Sequence, residues 1–245
     1  MLNNKNIFLD YFDLQVKNYC AKNPEYVFFR FGTSVYSPQL SFHDIDILIV
    51  KLTSTKTYKN EIDNLKNNFS NEEFAKNSFN TFDGKVDMFF RELKFNIQAK
   101  YKVNIQYSFS LGPLETSDKN IIPFHLAGPM SIGDFNYFFN TFPLFYTVLS
   151  QHNIKLSKYP FSQIFTKQKV SKINYHNAII SILNRAINCK IREVKLKSLK
   201  RIELIKQCYN NEPKAYFIAQ NYYENIKNKN IDKLLKETIA NIKYT

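Results

Sequence analysis

The sequence predicts an α+β N-terminal lobe followed by an all-helical C-terminal lobe, and three observations carry that reading. Residues 25–31 and 45–50 are short runs dense in aromatic and β-branched side chains, the composition of buried strands. From Ser131 onward the apolar residues return every three or four positions, as on amphipathic helices. The charge is divided as well. Residues 1–150 hold 15 Lys+Arg against 15 Asp+Glu, whereas residues 151–210 hold 13 against only Glu193 and Glu203. The boundary is therefore expected near 130, giving domains of 1–130 and 131–245.

In chain order, residues 5–21 place Phe8, Tyr11, Phe12 and Tyr19 near a 3.6-residue period, and Asn23-Pro24 ends that helix. Strand 25–31 stops at Gly32-Thr33-Ser34, and strand 45–50 is entered through Asp44 and Asp46. Weaker helical patterns cover 58–69 and 71–78. Asp83-Gly84 is a turn signal, after which residues 85–90 read as a third strand. A helix over 92–100, a strand over 103–110 and loops at Gly112-Pro113 and Gly128-Pro129 follow. Ser131 and Asp134 have capping-box spacing. Helices are expected over 132–151 (kinked at Pro143), 172–194, 197–211, 213–228 and 231–242.

Composition excludes several classes. The hydrophobic fraction of 44% is that of a globular chain. No apolar run reaches the roughly 18–20 residues of a membrane span, and the first residues lack a signal-peptide core, so a cytoplasmic protein without a membrane partner is expected. Cys20, Cys189 and Cys208 are scattered, with neither a disulfide framework nor a zinc pair. The net charge of +13 is concentrated after residue 150, which favours a polyanionic partner.

Asp44 and Asp46 are the residues that point to chemistry. Residues i and i+2 of a strand share a face, so the two carboxylates project together while Ile45 and Ile47 enter a core. Two adjacent carboxylates repel, and a divalent cation relieves that repulsion; oxygen donors suit Mg²⁺ or Mn²⁺. Nearby, Gly32 allows close backbone approach to a phosphate, and the hydroxyls of Thr33 and Ser34 are possible partners for it. No Gly-Lys-Ser/Thr follows, so this is not a P-loop.

Gly32-Thr33-Ser34 followed by Asp44-Ile45-Asp46 resembles the signature of the DNA polymerase β-like nucleotidyltransferase superfamily. In that family a Gly-Ser pair ends one strand, an Asp-x-Asp opens the next, and a third carboxylate lies between apolar residues on a later strand. Val86-Asp87-Met88 is what this pattern would require. The resemblance covers about residues 25–90. It implies a nucleotidyltransferase-type mixed sheet with flanking helices, followed by an all-helical C-terminal bundle. It further implies that Asp44, Asp46 and Asp87 are the catalytic, metal-binding carboxylates, with Gly32, Thr33 and Ser34 at the triphosphate. Which of the two hydroxyls meets the phosphate stays open. Asp83 is the alternative third acid, although its place before Gly84 suits a capping role.

The implied activity is two-metal transfer of an NMP group from an NTP to an acceptor hydroxyl, with pyrophosphate released. Lys190, Arg192, Lys197, Lys200 and Arg201 form the densest basic run, which suits a nucleic-acid backbone or a solvated helix face equally. RNA, such as a tRNA 3′ end, is therefore the first acceptor, with a protein or small molecule next. Tyr175 and His176 suit a core or surface role better than base stacking. His43 precedes the Asp pair and could touch a phosphate, though a loop position of no special role suits it better; His125, before Gly128-Pro129, suits a structural role, and His152 and His176 lack a partner at metal-ligand spacing. The alternative is a catalytically inactive module of the same fold that binds nucleotide, RNA or a partner protein.

Overall fold

A computed structural model describes residues 3–36, 44–68, 79–109, 121–167 and 169–243. They form two compact units, Met1–Thr141 with His152–Lys167, and Phe142–Gln151 with Gln168–Thr245. The sequence places one change of lobe near 130; in the structure the chain crosses between units three times.

The first unit is built on a five-stranded mixed sheet. Its strands are β1 (Tyr26–Phe31), β2 (Ile45–Lys51), β3 (Asn104–Phe109), β4 (Ile121–Met130) and β5 (Ile154–Lys155), ordered β3-β4-β2-β1-β5. β1 runs antiparallel to β2 and β5, while β4 runs parallel to both β2 and β3. One face packs on helices α1 (Asn3–Lys22) and α4 (Gly84–Tyr101). There Phe8, Phe12, Phe90 and Leu93 cover Phe28, Ile45, Ile47 and Phe124. On the other face Phe29 stands edge-on to Phe161 and tilted against Phe165, and Phe135 and Phe139 meet Phe165 edge-on. These aromatic residues come from α5 (Ile132–Thr141) and from α7 (Phe161–Ile164) with the residue after it. The aromatic run that begins at Phe135 thus supplies core to this unit.

Two segments depart from the pattern read in the sequence. Residues 85–90 are not a strand but the first turns of α4. Asp83 caps that helix, accepting the N–H groups of Lys85 and Val86, and Val86, Phe90, Leu93 and Ile97 fall on its buried stripe. The period of 3.6 therefore runs through the segment and on to Tyr101. Residues 121–130, expected as loop around Gly128-Pro129, are instead a central strand. Pro123 is tolerated because the β2 ladder begins one residue later, at Phe124. Gly128 (φ +114°) is needed because a Cβ there would lie 2.0 Å from the Ile49 carbonyl, beside the register shift between Leu48 and Val50.

Helix α3 (Lys59–Asn68) follows the expected 58–69, and 71–78 lies outside the described residues. The capping pair forms: the Asp134 N–H donates to Ser131 Oγ at 3.0 Å. Asp134 is itself buried, and its carboxylate accepts the Tyr58 N–H at 2.9 Å, which joins α5 to the start of α3.

The second unit is helical, with α6 (Pro143–Gln151), α8 (Lys172–Asn188), α9 (Arg192–Tyr209), α10 (Ala215–Ile226) and α11 (Ile231–Lys243). Ile179 and Leu183 of α8 meet Leu196, Leu199 and Ile202 of α9 in its core. Cys20 and Cys208 are buried free thiols, each pushed up to about 12 by burial. Among the described residues no helix is long and apolar enough to cross a membrane.

Candidate functional site

The site is built where β1 turns towards β2. Phe31 is in register with Asp46, so the residue after Phe31 lies against the Asp46 side chain. That residue is Gly32, with φ +75°, and a Cβ placed on it would lie 2.0 Å from Asp46 Oδ2. A left-handed backbone and a carboxylate in contact with its Cα both require glycine. Asp44 and Asp46 are half-buried and, two residues apart, stand on the face opposite the buried Ile45 and Ile47. The carboxylate pair and the glycine turn are therefore brought together.

The turn is held from beneath by Arg30, which the sequence reading passed over. Its buried guanidinium forms a two-pronged pair with Asp13 of α1, Nε to Oδ1 at 2.9 Å and Nη2 to Oδ2 at 2.7 Å. The remaining nitrogen, Nη1, donates to the Ser34 carbonyl at 2.7 Å. Ser34 is buried, and its hydroxyl donates to the Phe31 carbonyl at 3.2 Å. Ser34 thus closes the turn, and Thr33 opens the four-residue helix α2 (Thr33–Tyr36).

His125, which its place before Gly128-Pro129 suits to a structural role, enters the site from β4. His125 is in register with Asp46 on one side and with Ser108 of β3 on the other, so all three share a face. Its Nε2 is buried, with no hydrogen-bond partner among the described residues. Burial pushes the imidazole below its ordinary pKa, against the pull of the Asp44 carboxylate. No sequence signal marks this neighbour, because the pairing of β2 with β4 is non-local.

Asp87 is not brought to the pair. It lies on α4, where Tyr107 donates to its Oδ1 at 2.9 Å and Arg91 pairs with its Oδ2 at 2.7 Å. Tyr107 is in register with Phe124, and Phe124 with Ile45, so Tyr107 and Asp87 belong to the α1/α4 face. The sheet itself stands between Asp87 and Asp46. The Tyr107 hydroxyl is pushed up to about 12, by burial first and then by the neighbouring carboxylate. Asp83 is occupied as the α4 cap, and it also receives Lys51 Nζ at 2.6 Å and the Tyr26 hydroxyl at 3.0 Å. His43 lies outside the described residues.

Among the described residues no group of three His, Cys, Asp or Glu side chains stands close enough to hold a metal. Asp44 and Asp46 alone remain a suitable set for Mg²⁺, which commonly takes one or two carboxylates and completes its shell with water and phosphate oxygens.

In the second unit the five basic residues divide by role. Arg192 Nη2 donates to the carbonyls of Lys227 and Lys229 just past α10, and Lys200 bonds Tyr216 and Gln220. Lys190, Lys197 and Arg201 are exposed. Tyr175 stacks on Tyr209 with ring centroids 4.3 Å apart and packs on the unit's core.

Comparison with protein-family models, with curated proteins and with solved structures found no match for this chain.

Proposed function

We propose that the chain is a metal-dependent nucleotidyltransferase, moving an NMP group from an NTP to an acceptor hydroxyl with release of pyrophosphate. The observation that carries this reading is the closure of the Gly32 turn on Asp46, beside Asp44 on the same face. A bare backbone turn next to paired carboxylates suits a triphosphate that arrives with Mg²⁺ or Mn²⁺. Asp44 and Asp46 would hold the ion, and the ion supplies charge neutralisation at the phosphates. Arg30 keeps the turn in place, and His125 offers a buried nitrogen beside the pair. RNA is the first acceptor, because Lys190, Lys197 and Arg201 leave positive charge exposed on the second unit.

A second reading, an inactive module of this fold that binds nucleotide, RNA or a protein, is favoured by the position of Asp87. Without it, a third carboxylate is lacking beside Asp44 and Asp46 among the described residues. Incubation with each of the four α-³²P-labelled NTPs, Mg²⁺ or Mn²⁺ and total RNA separates the two. Labelled RNA made by the wild type and not by Asp46→Asn supports transfer. Absence of label from RNA, protein and metabolite extracts alike rejects it in favour of the module.

A further inference from the structure

Phe217 of α10 is 65% exposed, and the way α10 lies on α9 surrounds it with cations. Lys200 Nζ donates to the Tyr216 hydroxyl and to Gln220, while the Tyr223 hydroxyl donates to Glu193. Contacts that descend α9 thus ascend α10, so the two helices run antiparallel. Arg201 stands about 100° round α9 from Lys200, and Phe217 about 100° round α10 from Tyr216. Because the helices are antiparallel, these equal turns bring Arg201 and Phe217 to the same flank of the pair. Lys197 lies one turn before Arg201 on that flank, and Lys214 lies one turn before Phe217. All three cations are exposed, and their side chains make no hydrogen bond or ion pair among the described residues.

We infer that this flank of the α9/α10 pair binds single-stranded RNA, with one base stacked on Phe217 and backbone phosphates on Lys197, Arg201 and Lys214. The acids of the two helices do not oppose it. Glu193 holds the Tyr223 hydroxyl, Glu224 is paired with Lys227, and Glu203 lies about 160° round α9 from Arg201. An exposed ring beside uncommitted cations fits a polyanion whose bases are free to stack. A duplex keeps its bases inside, and a polyanion without bases would satisfy the cations but leave the ring in water. An acidic protein is the weaker fit. Among the described residues Phe217 is the only exposed large apolar side chain on α9 or α10, too little for the apolar centre of a protein interface. The inference rests on the RNA part of the proposed function and adds to it the form of the RNA and the residue that takes its base.

The test uses the full-length chain and its Phe217→Trp variant, whose indole is unique because the chain has no tryptophan. Oligouridylate should quench that indole as it saturates the protein. Heparin, a polyanion without bases, should compete for the cations and leave the emission unchanged. Phe217→Ala should weaken oligouridylate binding by about five- to a hundredfold, the worth of one stacked base, with heparin binding and melting temperature as in the wild type. Lys197→Gln/Arg201→Gln should weaken both ligands and flatten their salt dependence. Oligouridylate that binds Phe217→Ala as it binds the wild type, and leaves the indole unquenched, overturns the stacking surface while the RNA reading stands. Oligouridylate bound by none of these proteins overturns both. A polyglutamate peptide that depends on Phe217 more strongly than oligouridylate does would give the surface to an acidic protein instead.

Discussion

A methyl group at position 32 would stand 2.0 Å from Asp46 Oδ2, when real Cβ contacts do not fall below 3.0 Å. Either the carboxylate or the turn must then move by about 1 Å, and the alanine must hold φ +75° besides. The left-handed backbone alone costs about 1–2 kcal/mol, and partial relief of the contact brings the expected destabilisation of Gly32→Ala to about 1–3 kcal/mol. For a unit of this size that lowers Tm by roughly 2–12 °C. The contrast is Gly84→Ala. Gly84 opens α4, a Cβ there meets nothing within 4 Å, and its backbone has ordinary φ. That change should leave stability unaltered or raise it by up to about 1 kcal/mol.

The assay is thermal unfolding of wild type, Gly32→Ala and Gly84→Ala, each with and without Mn²⁺ and an NTP. A ligand at one hundred times its Kd stabilises the folded state by about 2.7 kcal/mol. Gly84→Ala should keep the whole of that response and Gly32→Ala should lose most of it, because the clash displaces the carboxylate proposed to hold the ion. A Gly32→Ala protein that melts with the wild type and keeps the full response would refute the role assigned to the Gly32–Asp46 contact.

Asp87→Asn should keep NTP-dependent labelling where Asp46→Asn loses it, because Asp87 lies on the other face of the sheet; loss of labelling in both restores it as the third acid. Removing either partner of the Arg30–Asp13 pair leaves a buried charge, so Arg30→Met should cost about 3–5 kcal/mol in urea unfolding, and a change near zero rejects the clamp. Burial opposes ionisation of Asp83, but its bonds from Lys51, the Val86 N–H and Tyr26 prevail and hold it below its ordinary value of 3.8. A depressed carboxyl contributes stability above its unfolded pKa and loses it as the pH falls through the folded one. The gap between wild type and Asp83→Asn should therefore be constant above about pH 5 and close below about pH 4. In salt titrations of RNA binding, Lys197→Glu/Arg201→Glu should reduce the slope by about 2 without altering stability. Arg192→Ala should lower the melting temperature instead, because it frees the carbonyls past α10.

What was legible in the sequence follows from the range of the interactions involved. β1 and β2 announce themselves, because a strand buried on both faces needs an apolar run, and residues 26–31 and 45–51 have one. The Gly32-to-Asp46 relation is legible only as two motifs, since thirteen residues separate Phe31 from Ile45 and a connection of that length does not fix the register that sets Phe31 opposite Asp46. Residues 85–90 fit both periods over six positions, Val86, Met88 and Phe90 alternating as on a strand and Val86, Phe89 and Phe90 recurring as on a helix; only the continuation to Leu93 and Ile97 decides for the helix. The capping role that suits Asp83 before Gly84 is the local sign of that outcome, because a helix starting there carries Asp87 off the sheet. β4 was hidden for the opposite reason. Pro123, Gly128 and Pro129 all signal a break, and the strand survives them through pairing with β2 and β3 that no local pattern encodes. The same non-local pairing makes His125 a neighbour of Asp46 across 79 positions of sequence. A site assembled by adjacent strands is legible only as far as its local turns. Here the turn supplies Gly32 and the carboxylate pair, while β4 supplies the residue opposite them.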